Sequence, residues 1–202
     1  MTRNKHQIQL QIQHEIRQMV AQQGFAMRHV FDPKRKHPQW SYTVGLTTPR
    51  SPAPEVFMSG LSLQARVAWL LDLGYQIKGP PPRATQQRMA HAEGIPRESL
   101  HFPAGGRQFV PGTIYRDVAS NGLSACFGVV DHRYYEDFFG QAIVYHGDAS
   151  FPVLQFVWTD TKNHFPWDAG YEKRFTGQQE LLFDPEQYLP LKEDASAEEK
   201  KA

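Results

Sequence analysis

Cysteine is nearly absent from this chain of 202 residues, with Cys126 standing alone. A single thiol excludes an internal disulfide framework and any zinc site built from several cysteines. Long apolar runs are missing as well. No stretch approaches membrane-spanning length, and the opening MTRNKHQIQLQIQH lacks the apolar core of a secretory signal, so a cytoplasmic protein is expected. Charge of one sign is also lacking. The 22 Lys and Arg against 21 Asp and Glu leave a formal +1, too little to draw nucleic acid or an anionic membrane. What the chain does have is apolar and aromatic material, 40% and 12% of its residues, which can fill a core and sets disorder aside as the default. Its length fits one domain with appendages.

Residues 3–23 read as a helix. Ile8, Ile12, Ile16 and Met19 recur at spacings of four and three, Leu10 and Val20 widen the stripe, and Gly24 stands where a left-handed stop belongs. It is either a docking helix that covers a sheet or a glutamine-rich helix that pairs with a partner. The runs 25–31, 40–46 and 55–61 are rich in strand formers, and their connections are too short for a crossover helix, which predicts consecutive antiparallel strands. Ser62 is placed to cap a second helix carrying Leu63, Val67, Leu70 and Leu71, with Gly74 as its end. The polar, proline-rich stretch 79–99 is a mobile segment, a lid, or the carrier of a short helix around 85–92.

Further on, Pro103–Gly106 between two short apolar runs predicts a hairpin. Residues 123–130 and 151–159 read as buried strands, 132–145 as a third helix and 180–183 as a last short strand. From Lys192 the small, charged residues predict a disordered tail. The expected class is α+β: a mostly antiparallel sheet with the N-terminal helix and two further helices packed on it. The expected divisions are an N-terminal amphipathic helix over 1–23, a single domain over 24–191 and a tail over 192–202.

Glu55 and Asp160 fall at strand ends, where side chains from separate segments converge. Two carboxylates do acid/base work when their surroundings drive their pKa values apart. Tyr42, Trp158 and Trp167 would then supply an apolar wall with polar tips. The plainer alternative makes the two acids turn caps and the aromatics core. His132 and Glu136, four apart on a predicted helix, share a face and could both reach one cation. His164 and Asp168 have the same spacing, but in a proline-containing loop. HExxH is missing and no cluster supplies three ligands, so neither metal nor cofactor is expected. Cys126 lies in an apolar run as an inert small hydrophobe. Ser59 and Ser124 lack the G-x-S-x-G elbow, and Gly105-Gly106 lacks the spacing and the Lys-Ser/Thr of a phosphate loop. The basic run Lys34-Arg35-Lys36-His37 is short enough to read as a solvated loop, which makes nucleic acid an improbable partner.

Two groups of motifs carry a resemblance. Tyr42-Thr43-Val44-Gly45-Leu46, Pro54-Glu55 and Gly60-Leu61 form the first. Gln155-Phe156-Val157-Trp158-Thr159-Asp160, Phe165-Pro166-Trp167 and Gln178 ahead of Leu181-Leu182 form the second. In this order they resemble the bacterial domain of unknown function 4262, over about residues 24–183. Gly24-Phe25 stands where that family has glycine-tryptophan, and Thr159-Asp160 where Pro-Asp is common. The resemblance brings no activity with it, but it supports Tyr42, Thr43, Gln155, Trp158 and Trp167 as binding candidates. Two functions are compatible with these observations. One is a non-enzymatic protein-binding module (an immunity protein, an antitoxin-like protein or a regulatory adaptor) that meets another protein through the N-terminal helix or the 79–99 loop. The other is a small-molecule enzyme with Glu55 and Asp160 as its acid/base groups.

Overall fold

The computed structural model describes residues 5–34, 36–49, 51–116, 118 and 122–194. Helix α1 (Lys5–Gln23) is followed by β1 (Ala26–Val30), β2 (Trp40–Val44), the small hairpin β3 (Thr47–Thr48) and β4 (Ser51–Pro52), and β5 (Glu55–Ser59). Helices α2 (Leu63–Lys78) and α3 (Arg83–Glu93) come next, then β6 (Thr113–Tyr115) and β7 (Ala125–Val129). Helices α4 (Tyr135–Phe138) and α5 (Gly140–His146), β8 (Val153–Trp158) and β9 (Lys192–Glu193) complete the order. Seven strands make the main sheet in the order β1-β2-β5-β8-β7-β6-β9. The pairs β5–β8 and β6–β9 are parallel and the others antiparallel. The fold is α+β, as its pattern predicts.

Helices cover both faces of the sheet, so β2, β5 and β8 are buried along their whole length. Alternation assigns the faces. Val56 and Met58 point to the side where Leu70 and Leu73 of α2 lie with Phe127 and Phe156. Phe57 points the other way, toward Ile16 of α1, Phe138 and Phe139. Its ring meets those two phenylalanines edge-on at 5.8 and 5.5 Å. Burying each such side chain contributes roughly 1.5–3 kcal/mol.

Several expectations are corrected. Helix α2 does not end at Gly74 but runs to Lys78 and stops at Gly79, whose φ is 92°. The Phe25 ring lies where a side chain at Gly74 would have to go, so this glycine serves close packing and not termination. The segment 101–110 is no hairpin. Gly106 N and Arg107 N donate to the Ile77 and Gln76 carbonyls, so this loop satisfies the C-terminal end of α2. The helix expected over 132–145 is broken into a short turn, α4 and α5, because Phe139 leaves helical geometry. Residues 180–183 form no strand, since side chains take up their backbone bonds: Gln155 Nε2 donates to Glu180 O, and Leu182 N donates to Gln155 Oε1. Lys192–Glu193, placed in the tail by composition, joins the sheet beside β6; residues 195–202 of that tail, and residues 3 and 4 of the first helix, lie outside the described residues. Within 79–99 the short-helix alternative holds, as α3.

Candidate functional site

The two motif-bearing stretches fold side by side. Tyr42 of β2 is registered with Phe57 of β5, and Phe57 with Gln155 of β8. The two acids, however, occupy opposite ends of these strands. Glu55 opens β5 opposite Val153, whereas Asp160 follows the far end of β8. Six residues of nearly extended chain lie between Val153 and Asp160, a separation on the order of 20 Å. They do not border a common hollow.

Each acid is tied into its own turn. Glu55 is fully buried and accepts hydrogen bonds from Thr43 Oγ1 (2.8 Å), Gly45 N (2.7 Å), Leu46 N (3.3 Å), Thr47 N (3.2 Å) and His146 Nε2 (3.1 Å). Gly45, with φ 99°, bends the chain so that successive amides face one carboxylate. Lys78 Nζ holds the outer side of that turn through the carbonyls of Gly45 and Leu46. Burial lowers the Lys78 pKa, and the Glu55 charge opposes that shift. Asp160 is also buried and accepts from Lys162 N, His164 N and Glu172 N at 2.8–2.9 Å. Burial alone would raise its pKa, but these backbone donors, with His164 nearby, bring it below the ordinary carboxylate value.

The binding candidates divide in the same way. Thr43 serves the Glu55 turn. Tyr42 is buried against Phe139 at 5.3 Å, and burial pushes its pKa up to about 12. Trp167 lies half-buried in a separate cluster, stacked on Phe165 at 5.1 Å. Gln155 lies mid-strand opposite Phe57, and Trp158 closes β8 at the Asp160 end. Trp158 Nε1 donates to Ser59 O, and Gln155 holds Glu180. Cys126 is buried, and burial pushes its thiol pKa up, as befits an inert thiol. His132 stacks on Tyr135 and bonds the Ala149 carbonyl through Nε2. Among the described residues no group of three His, Cys, Asp or Glu is placed to hold a metal ion.

Besides a hollow of about 320 Å³ lined by Pro54, Ile77, Arg107 and Phe109 among others, two features are open to solvent. The first is an open groove of about 730 Å³ beyond the carboxyl end of β5, lined by Lys36, His37, Gln39, Leu61, Ser62 and Gln178 among others. His37 Nδ1 bonds the Glu180 carboxylate at 2.7 Å. Arg66, fully buried on α2, reaches the groove wall from behind. The sequence carries a signal for it: Arg66, Leu70, Leu73 and Ile77 share one helical stripe, and one member of that apolar face is charged. His37, Glu180 and His146 have no such local signal, since their partners lie 143 and 91 residues away.

The second feature is the free side of β1. This strand is hydrogen-bonded to β2 alone, and among the described residues nothing pairs its other edge. A hollow of about 270 Å³ runs beside it, lined by Met19, Gln23, Met27, Arg28 and His29. On α1 the inward face is made by Ile12, Gln13, Ile16 and Val20, while Ile8 (42%), Leu10 (56%) and Met19 (40%) stay exposed. Gln13 spends its amide on Gln141. No helix among the described residues is long and apolar enough to cross a membrane.

Among known proteins, a family described as Domain of unknown function (DUF4262) matches residues 19–102 and 99–172. No curated protein and no solved structure matches the chain.

Proposed function

The chain belongs to the DUF4262 family, and we propose that it is a non-enzymatic protein-binding module that takes an extended segment of a partner protein along the free edge of β1. The carrying observation is that edge. An unpaired strand offers a row of N–H and C=O groups to another chain, and proteins normally blunt such an edge with lysine, proline or a bulge. The opposite edge of this sheet is blunted, being the two-residue, charged β9. β1 is five residues long and carries no proline, and its one fixed charge, Arg28, lies in the adjoining hollow. Beside it, Met19 and Met27 give the hollow two flexible, polarizable side chains suited to irregular apolar partners. Arg28 in the same hollow favours a segment with an acidic residue. Main-chain bonds would supply affinity and the hollow selectivity. Phe31, 53% exposed just past β1, extends the apolar surface.

The binding reading is preferred to a small-molecule enzyme using Glu55 and Asp160, because both acids are fully buried and held by several backbone donors. An immunity, antitoxin-like or adaptor role suits the binding reading equally.

The test replaces Gln23, at the rim of the hollow, with a photo-crosslinking phenylalanine in the native host, and follows β1 by hydrogen exchange. A discrete adduct is expected, lost when Met19→Lys and Met27→Lys are combined in a variant whose melting temperature is kept. In the isolated protein the outward amides of β1 should exchange rapidly. An adduct indifferent to the two lysines, no adduct at all, or outward amides already protected in the isolated chain would overturn the proposal.

A further inference from the structure

Arg66 is a buried cation whose partners are all uncharged. Its Nε donates to Ser41 Oγ (2.9 Å), and Nη1 to the carbonyls of Gly60 and Leu61 (2.8 Å each). Nη2 donates to Gln39 Oε1 at 3.3 Å, the longest of the set. Burial lowers the Arg66 pKa and no carboxylate offsets it. A buried charge is normally paired with an opposite one. Two of the four acceptors belong to residues of positive φ. Gly60 and Leu61 both adopt left-handed conformations, φ 71° and 58°, which turn their carbonyls onto one nitrogen. Gly60 has no alternative there, since the Gln178 carbonyl lies where a Cβ would stand.

Of these partners, Gln39 alone is an exposed side chain, and it stands in the groove wall beside Lys36 and His37. We propose that this groove binds the oxyanion group of a small ligand, phosphoryl or carboxylate, which replaces the Gln39 amide on Arg66 Nη2 and supplies the missing negative charge. Lys36 adds an ammonium on the open side. His37, held by Glu180 through Nδ1, lines the same wall. No bond is made or broken in this binding. The groove has other lining residues than the β1 edge, with Ser41 the one link between them, bonded to His29 and to Arg66.

Calorimetric titration of the full chain with inorganic phosphate and, separately, with acetate at constant ionic strength tests it. Saturable binding of phosphate alone identifies a phosphoryl ligand, of acetate alone a carboxylate ligand, and of both an oxyanion site blind to the difference. Gln39→Ala, which removes the competing amide, should tighten binding, and Lys36→Gln should weaken it, each by roughly three- to tenfold. Gln39→Glu builds the counter-ion into the chain. It should abolish anion binding and raise the melting temperature, a readout that needs no ligand. Binding of neither anion, binding that ignores all three variants, or a Gln39→Glu protein that melts no higher than the parent overturns the proposal.

Discussion

At Glu55 five donors meet one carboxylate, three of them backbone amides of a single turn. An amide side chain in its place would keep one acceptor and turn its own N–H groups on those donors. Glu55→Gln should therefore cost about 2–4 kcal/mol of stability, read from urea unfolding; a loss below about 1 kcal/mol would mean the turn holds without it. Asp160 gives a pH signature instead. Its pKa is lowered on folding, so its contribution is complete above the ordinary value of 3.8 and fades as pH falls through the folded value. Melting temperatures followed from pH 7 down to about pH 2.5 should show an acid limb that Asp160→Asn makes shallower, while lowering stability at neutral pH. An unchanged limb would contradict this account. Both residues were legible as special, since each is an acid beside a strand and a turn signal. Their task was not. Capping and catalysis place the same residue types at the same strand ends, and only the count of amides around each oxygen separates them.

Elements were legible wherever side-chain periodicity governs backbone bonding, as in β2, β5, β8 and most of α2. They were illegible where a distant group takes the backbone bonds. Residues 180–183 look like a strand, yet the preceding Gln179 clips onto the Trp158 backbone and Gln155 bonds Glu180 and Leu182, so two glutamine side chains do what a neighbouring strand would do. Gly74 misleads for a related reason. Local rules make glycine a helix stop, but the ring of Phe25, 49 positions away in sequence, is what requires it. That reverses an ordinary expectation. In a helix interior Gly→Ala usually stabilises by up to about 1 kcal/mol. Here the new Cβ would lie 2.2 Å from the Phe25 ring, in a fully buried cluster. Overpacking of that kind costs roughly 1–3 kcal/mol, so Gly74→Ala should lower the melting temperature. Combining it with Phe25→Leu, which trims the obstructing ring, should return part of the loss. If Gly74→Ala melts higher than the parent, the close approach is not a constraint.

Across the whole molecule, the β2-β5-β8 strands form a double-faced core with a separately tied turn at each end. The turn at one end is gathered by Glu55, His146 and Lys78. At the other, Arg66 gathers the turn after β5, while Asp160 ties the turn after β8. That motif residues from 42–55 and 155–167 come together was legible from their strand character. Which ends meet was not, because periodicity shows that a strand exists but not its direction, and the parallel pairing of β5 with β8 sends the two acids apart. This arrangement makes a thermodynamic prediction that a shared acidic site would not. Residues on the order of 20 Å apart along a sheet, with no common partner, should be energetically independent, so losses at well-separated sites add within about 0.5 kcal/mol. The double variant Glu55→Gln with Asp160→Asn should thus lose the sum of the single losses in urea unfolding at pH 7. Two carboxylates facing each other across one cavity would repel; each single substitution would relieve that repulsion but the double variant only once, leaving the double variant markedly less stable than the sum. A coupling above about 1 kcal/mol would mean that the two ends communicate through the sheet.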